Sequence, residues 1–243
     1  MCIRDSAYNM KPLLTYAKVA SDENTASAAI EAAHKSAIGQ PAGGFIKDFL
    51  NLIKDAPSPA IRTAAERAVT DIISQASNKD QFSGPLTSAY EEAFTNEARY
   101  AMLRLSGTIG GNQNSALIKA ALDSDDDSLT SAAITALSQW KDTSELNTLI
   151  EFTSKSNNQT LRKRAFESAY SFLQKQKDSD GIEKFWEDLA EAAYSRREKL
   201  QLIGGLTKQN KPWAITILDK FTNSSDNKVA EQAQRAKDQL ENR

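Results

Sequence analysis

The stretch Ile61-Arg62-Thr63-Ala64-Ala65-Glu66-Arg67-Ala68-Val69-Thr70-Asp71-Ile72 carries the folding logic of the whole chain. Ile61, Ala64, Ala65, Ala68 and Ile72 stand at i, i+3, i+4, i+7 and i+11, which makes one face of a helix apolar and leaves the rest polar. The pattern returns as Ala98, Ala101, Leu105 and Ile109; as Leu129, Ala132, Ala133, Ala136 and Trp140; as Leu161, Ala165, Ala169 and Phe172; and as Val229, Ala233, Ala236 and Leu240. A weaker copy, Leu200, Ile203 and Leu206, precedes the last, and Ala26, Ala29, Ile30 and Ala33 supply one before the first. Successive copies lie roughly 31 to 37 residues apart, the period of a two-helix repeat and too short for a propeller blade.

Shorter apolar stretches alternate with these copies at residues 45–54, 86–94, 115–122, 146–154, 182–194 and 213–222, and read as the partner helix of each pair. Glycine and proline number only 10 and 6 and punctuate the stretches rather than interrupt them, so strands have little room to form. Small residues on one helix facing larger ones on the other let two helix axes approach closely. The expected fold is all-α: an alpha-alpha superhelix of about seven antiparallel helix pairs, each burying its neighbour in a linear pile.

The turn-and-helix segment Ala56-Pro57-Ser58-Pro59-Ala60-Ile61-Arg62-Thr63-Ala64-Ala65 resembles the turn and second helix of a HEAT repeat, where a Pro-containing turn runs into an aliphatic residue, an arginine and paired alanines. Leu122 to Ala133 is similar with its prolines replaced, and Asn157-Asn158-Gln159-Thr160-Leu161-Arg162 and Ser224-Ser225-Asp226-Asn227-Lys228-Val229 are two further copies. Ala136-Leu137-Ser138-Gln139-Trp140-Lys141-Asp142 and Arg197 to Leu206 look like the HEAT modules of large, often exported, bacterial multidomain proteins. The resemblance implies a right-handed HEAT-like solenoid and a module of a longer polypeptide, in which a periplasmic or other extracytoplasmic setting would fit. Fold alone does not fix function.

Composition narrows the classes. At 243 residues and 40 % hydrophobic content the chain can bury a substantial core without disulfide or metal. Thirty Lys plus Arg against 32 Asp plus Glu leave a net charge of −2 and a pI of about 5.6, so there is no general pull toward nucleic acid or anionic membrane. No apolar run approaches a membrane span and no signal peptide opens the chain, so the sequence reads as soluble. Cys2 is the single cysteine, which leaves no internal disulfide and no thiolate metal cluster. Met1-Cys2-Ile3-Arg4-Asp5-Ser6 fits no helix or cap and reads as a non-native tail, such as adapter read-through in an assembled environmental sequence. Residues 7–243 are then one repeat domain, a fragment whose solenoid continues upstream because residues near Asn9 and Met10 lack a capping face. The segment 229–243 carries the polar outer face of a terminal cap.

Each candidate site has a plainer reading. Asp123, Asp125, Asp126 and Asp127 resemble a calcium loop, yet Ser128 stands where its turn glycine belongs and Ile134 where its bidentate glutamate belongs. The expectation is that Asp127 or Ser128 caps a helix starting at Leu129. His34 is the only histidine and sits one position past an apolar row, as a solvated helix residue would. Gly110-Gly111 reads as a left-handed helix end, and Gly204-Gly205 as a point of close helix approach. Glu91 with Glu92, and Glu187 with Asp188, fit solvated faces better than an acid–base pair. Trp140, Trp186 and Trp213 fit the core better than a stacking platform, the first by continuing its helix's apolar row. No catalytic residue, cofactor or metal is expected.

The surface that stands out is the inner wall of second helices, where Arg62, Tyr100, Arg104, Arg162, Arg164, Tyr170 and Arg197 fall between the apolar rows. Arginine and tyrosine are enriched at binding hot spots. The expected function is a non-enzymatic scaffold or protein–protein interaction module, monomeric as a fragment, whose partner is a protein or a neighbouring domain of the same polypeptide. Repeats tile the chain so fully that no segment is left over to build a pocket. Nucleic acid and membrane insertion are not expected. The alternative is a HEAT-like enzyme such as a DNA glycosylase or a bilin lyase-like protein, against which the net charge argues in the first case.

Overall fold

The computed structural model describes the backbone of residues 4–37, 45–140, 143–176 and 181–242, with side chains from Met10 onward. Among the described residues the chain is helix and turn, with no strand. It divides into two compact units, residues 1–141 and 142–243. The first holds α1 (Arg4–Val19), α2 (Glu23–Ala37), α3 (Ile46–Lys54), α4 (Pro59–Gln75), α5 (Ser83–Glu91), α6 (Asn96–Ile109), α7 (Asn112–Leu122) and α8 (Asp127–Ser138). The second holds α9 (Leu146–Lys155), α10 (Gln159–Lys175), α11 (Ile182–Ala192), α12 (Arg196–Gln209), α13 (Pro212–Thr222) and α14 (Asn227–Glu241).

In the first unit every odd-numbered helix packs on the even-numbered helix that follows it; in the second α9 packs on α10 and α13 on α14, while α11 packs on α10. Even helices also pack on even ones, and odd on odd: α2, α4, α6 and α8 form one layer of the first unit and α1, α3, α5 and α7 the other. In the second unit α10, α12 and α14 form one layer and α9, α11 and α13 the other. These are stacked helix pairs, as the periodicity predicts. Alanines of the repeated face are the inner surface of this packing: Ala65, Ala98, Ala101, Ala133, Ala165, Ala169 and Ala233 are 0 % exposed.

The two layers start their helices differently. Each even helix follows a residue whose side-chain oxygen accepts a backbone N–H of the first turn: Asp22, Ser58, Thr95, Asp126, Asn158, Ser195 and Asp226. The odd helices α3, α5, α7, α9, α11 and α13 have no such side-chain cap, although α13 opens on Pro212, whose fixed φ suits a first helical position. Entry into the even layer is therefore fixed locally, once per repeat.

Several expectations change in detail. The cap of α8 is Asp126, one residue before the expected Asp127 or Ser128; its carboxylate accepts from Ser128 and Leu129 at 2.8 and 3.1 Å. The helices expected over 86–94 and 182–194 stop at Glu91 and Ala192, so Phe94 and Tyr194 stand in turns, 96 % and 82 % exposed. Trp140 is buried, but α8 ends at Ser138 before reaching it. Gly110 ends α6 with φ 76° and ψ −162°, a positive-φ conformation that is not the left-handed helical one. Helix α1, the partner of α2, has too mixed a pattern to show in the sequence. It begins at Arg4, so the backbone of residues 4–6 belongs to a helix, contrary to expectation, while residues 1–3 lie outside the described set.

Close approach of the even helices needs glycine at one further point. A Cβ on Gly107 would sit 2.2 Å from the carbonyl oxygen of Ala136, because α6 and α8 touch backbone to backbone. Gly205 plays a related part in α12, where a Cβ would come within 2.8 Å of Trp186 and Tyr170. Gly204, its neighbour, meets nothing within 4 Å.

Candidate functional site

The residues expected to line the inner wall mostly serve the fold. Arg62, four residues after its cap Ser58, turns back to donate to the carbonyls of Ile53 and Ala56 at 3.3 and 3.5 Å. Thr130, four residues after Asp126, donates in the same register to Ala121 and Ser124, both at 3.3 Å. Both donate to carbonyls in the last turn of an odd helix and in the loop that follows it, where intrahelical donors run out. Arg62 is thus the seal of its own repeat rather than an outward side chain.

Tyr100 and Arg104 tie even helices together. The Tyr100 hydroxyl donates to Asp126 Oδ2 at 2.9 Å, and Asn96 Nδ2 donates to the same oxygen at 3.3 Å. Hydrogen bonds from the Leu129 amide and from Tyr100 hold the Asp126 carboxyl below the usual carboxylate range, while burial and that carboxylate push the Tyr100 hydroxyl up. Arg104 lies fork-to-fork with Glu66 of α4, at 2.7 and 2.8 Å. In the second unit Arg162 donates to Glu198 and to the Ala192 carbonyl, and its guanidinium lies 5.6 Å from the centre of the Tyr194 ring. Tyr170 stacks against Phe166 and meets Trp186 edge-on at 5.9 Å. Arg164 is exposed on α10, and Arg197, with its side chain 74 % exposed, stands 3.9 Å from Glu167.

Glu198 is the hub of the second unit. Its side chain is 5 % exposed and accepts the N–H groups of Tyr194 and Ser195 at 2.9 Å each, completing a capping box in which Ser195 Oγ accepts from the Glu198 amide. Burial alone would raise its carboxyl; the two backbone donors and Arg162 outweigh that and bring it below the ordinary value of 4.5. The spacing Ser195-x-x-Glu198 was the available sequence signal for this site.

Open surface remains between even helices. In the first unit a groove of about 780 Å³ runs between α2 and α4, edged by Glu31, Lys35, Arg67 and Asp71. His34 lies in its wall with its side chain 15 % exposed and Nε2 unpaired 3.9 Å from Asp71, so it is not the solvated residue expected. In the second unit a groove of about 390 Å³ runs between α12 and α14 over Gly204, Ile203 and Ala236. On the odd layer a third, about 490 Å³, lies between α3 and α5. A concave helical surface was expected of the repeats, and these grooves are the open space that the described helices leave, although the tiling of the sequence was expected to leave no segment over to build a pocket.

The chemistry-bearing candidates resolve as helix-surface ion pairs. Glu92 meets Lys54 at 2.7 Å, Glu187 meets Lys220 at 2.7 Å, and Asp188 meets Lys184 at 2.6 Å. A hydrogen bond from Lys220 lowers the Glu187 carboxyl, the direction opposite to that of a general acid. Trp186 is fully buried, whereas Trp213 is half-buried. Among the described residues no three His, Cys, Asp or Glu side chains gather as a metal site, and no helix is long and apolar enough to cross a membrane.

No protein-family model matches the chain, and the search of curated proteins finds no match. Among solved structures it is similar to the crystal structure of an engineered protein, with 15 % identity over 96 % of each chain and a TM-score of 0.34. It is also similar to a computationally designed self-assembling cyclic homooligomer, with 16 % identity over 99 % of this chain and 91 % of that one and a TM-score of 0.19.

Proposed function

We propose that this chain is a HEAT-like interaction module: a non-enzymatic scaffold that receives a protein segment between its even helices. The observation that supports this reading is that each unit has an open groove between even helices, α2 and α4 in the first and α12 and α14 in the second. Binding surfaces of stacked repeats are built in this way, from side chains that the repeat does not need for its own packing. The partner is a protein or a neighbouring domain of a longer polypeptide.

The opposing reading, a DNA glycosylase on a HEAT-like frame, asks for a positively charged groove. The arginines best placed to supply one, Arg104 and Arg162, are neutralised by Glu66 and Glu198. Photocrosslinking groups installed one at a time at Lys35, Arg67, Lys228 and Arg235, followed by capture from the source organism, test the scaffold reading. Specific protein adducts at either groove are expected; turnover by the purified chain, or salt-steep binding of duplex DNA, would refute it.

A further inference from the structure

We infer that the α12/α14 groove of the second unit is a docking site for an acidic helical segment of a partner protein, a proposal that rests on the scaffold reading above and narrows it to one groove and one ligand chemistry. Its α14 wall is a single helical face, Lys228, Gln232, Arg235 and Gln239, at i, i+4, i+7 and i+11. Its α12 side supplies Leu200, Ile203, Gly204 and Thr207. No carboxylate lines it. The α2/α4 groove of the first unit occupies the corresponding place between even helices but carries Glu31 and Asp71 beside its cations, so it lacks this one-sided charge.

The polar side chains of the groove are also held in reserve. Elsewhere on these helices they are used within the fold: Arg196 with Asp226, Lys237 with Asp219 at 2.5 Å, Gln234 with Asp238 at 2.7 Å. Lys228, Gln232 and Gln239 have no side-chain hydrogen bond or ion pair among the described residues, and Arg235 has only Glu231 at 3.8 Å, both side chains about 70 % exposed. Lys228 and Arg235 stand two turns apart, about 10 Å along the axis, which matches carboxylates at i and i+7 of an opposing helix.

Gly204 supplies the independent observation. A glycine inside a helix is unfavourable unless something needs the missing side chain. Gly205 has such a reason in Trp186 and Tyr170, but a Cβ at Gly204 would enter open space above the groove floor. Nothing in the fold uses its bareness; a partner's backbone lying across Leu200, Ile203 and Ala236 would. Two cations two turns apart suit a peptide better than a phosphate backbone, which is bound through a denser run of cations.

The test uses the full chain and a fluorescein-labelled alanine-rich helical peptide of ~15 residues with glutamates at i, i+4 and i+7, beside the same peptide with glutamines and a single-stranded oligonucleotide of like length. Saturable binding of the glutamate peptide, with affinity at least about tenfold weaker for the glutamine peptide and for Lys228→Glu/Arg235→Glu, is expected. Gly204→Trp should abolish binding by filling the floor, while Gly204→Ala should melt higher yet bind several-fold more weakly than wild type, and weaker binding by a more stable variant separates blocking from misfolding. Absence of glutamate-peptide binding, equal binding by Gly204→Trp, or preference for the oligonucleotide overturns the assignment. Partner adducts that form at the α2/α4 groove and are insensitive to Gly204→Trp would overturn it while leaving the scaffold reading intact.

Discussion

Replacing Glu198 with alanine removes three interactions at once: the acceptor for the Tyr194 amide, the acceptor for the Ser195 amide that is the return half of the capping box, and the counter-charge of Arg162. The Arg162 side chain is 14 % exposed, so the variant leaves a charge mostly out of water with one carbonyl and the Tyr194 ring for company. Breaking one side of a buried, hydrogen-bonded pair costs about 3 to 5 kcal/mol, and because Arg162 can swing toward exposed Tyr194 the lower end, about 3 to 4, is expected here. Glu198→Gln keeps an oxygen for the capping box and should cost about 1 to 2 kcal/mol. The measurement is urea unfolding at neutral pH, read as a midpoint shift at constant slope, in wild-type and Arg162→Met backgrounds. With Arg162 gone, Glu198→Ala should cost roughly half as much, because no stranded charge remains. The folded-state carboxyl lies below its ordinary value of 4.5, so its contribution is complete above that pH and disappears as pH falls through the depressed folded value. Glu198→Gln should therefore lose part of the acid limb of the stability profile relative to wild type. A cost under about 1 kcal/mol, an undiminished cost beside Arg162→Met, or superimposable acid limbs would refute this account of the hub.

Gly107→Ala should destabilise by about 2 kcal/mol despite alanine's better helix propensity, since its Cβ would collide with the Ala136 backbone; thermal melts check it, and a neutral result would mean α6 and α8 do not touch there. Ala133→Leu and Ala165→Leu should each cost about 1 to 3 kcal/mol by overpacking positions that are 0 % exposed, against almost nothing for Ser171→Ala on an exposed face, and equal melting shifts would show the buried face is misassigned. Asp126→Asn should keep the α8 cap and melt close to wild type at neutral pH, whereas Asp126→Ala should melt lower by losing the cap and the acceptor for Asn96 and Tyr100 together; matching melts for the two would show the cap is idle. Asn96→Arg should raise the melting temperature slightly at low salt and not at high salt, by building at Asp126 the ion pair that Arg196 makes with Asp226.

The fold was legible where one helix face repeats strongly enough to be counted. Ile61, Ala65, Ala68 and Ile72 sit buried as their spacing requires, and so do the matching residues of α6, α10 and α14 and Ala132, Ala133 and Ala136 of α8, whereas Ala64 and Leu129 are only half-buried. Helix α1 was missed because Met10, Leu14 and Ala17 are spread among Lys11, Pro12 and Thr15, too thin a stripe to separate from noise without its neighbour α2 in view. Helix ends were legible only to within a residue or two: Asp123, Asp125 and Asp126 precede α8 and Asp127 opens it, and only the backbone geometry decides that Asp126 is the one whose oxygens reach the free amides.

The candidate surface was less legible, and the reason is geometric. A 3.6-residue period says which side chains leave the apolar row, but whether they meet water or an acid on the next even helix depends on how far that helix is offset. The offset varies with repeat length. In the shorter repeats, Thr95 to Asp126 and Ser195 to Asp226, the first helical residue meets the next cap, as Asn96 and Arg196 do at a sequence separation of 30. In the longer repeats the tie moves down the helix, to Arg162 with Glu198 at a separation of 36 and to Arg104 with Glu66 at 38. No single register of the sequence superimposes all four ties, so a basic, aromatic stripe drawn by periodicity alone mixes residues that bind the repeats together with residues left over. Lys228, Gln232 and Gln239 belong to the second kind, and they became visible only after the ties of the first kind had been subtracted.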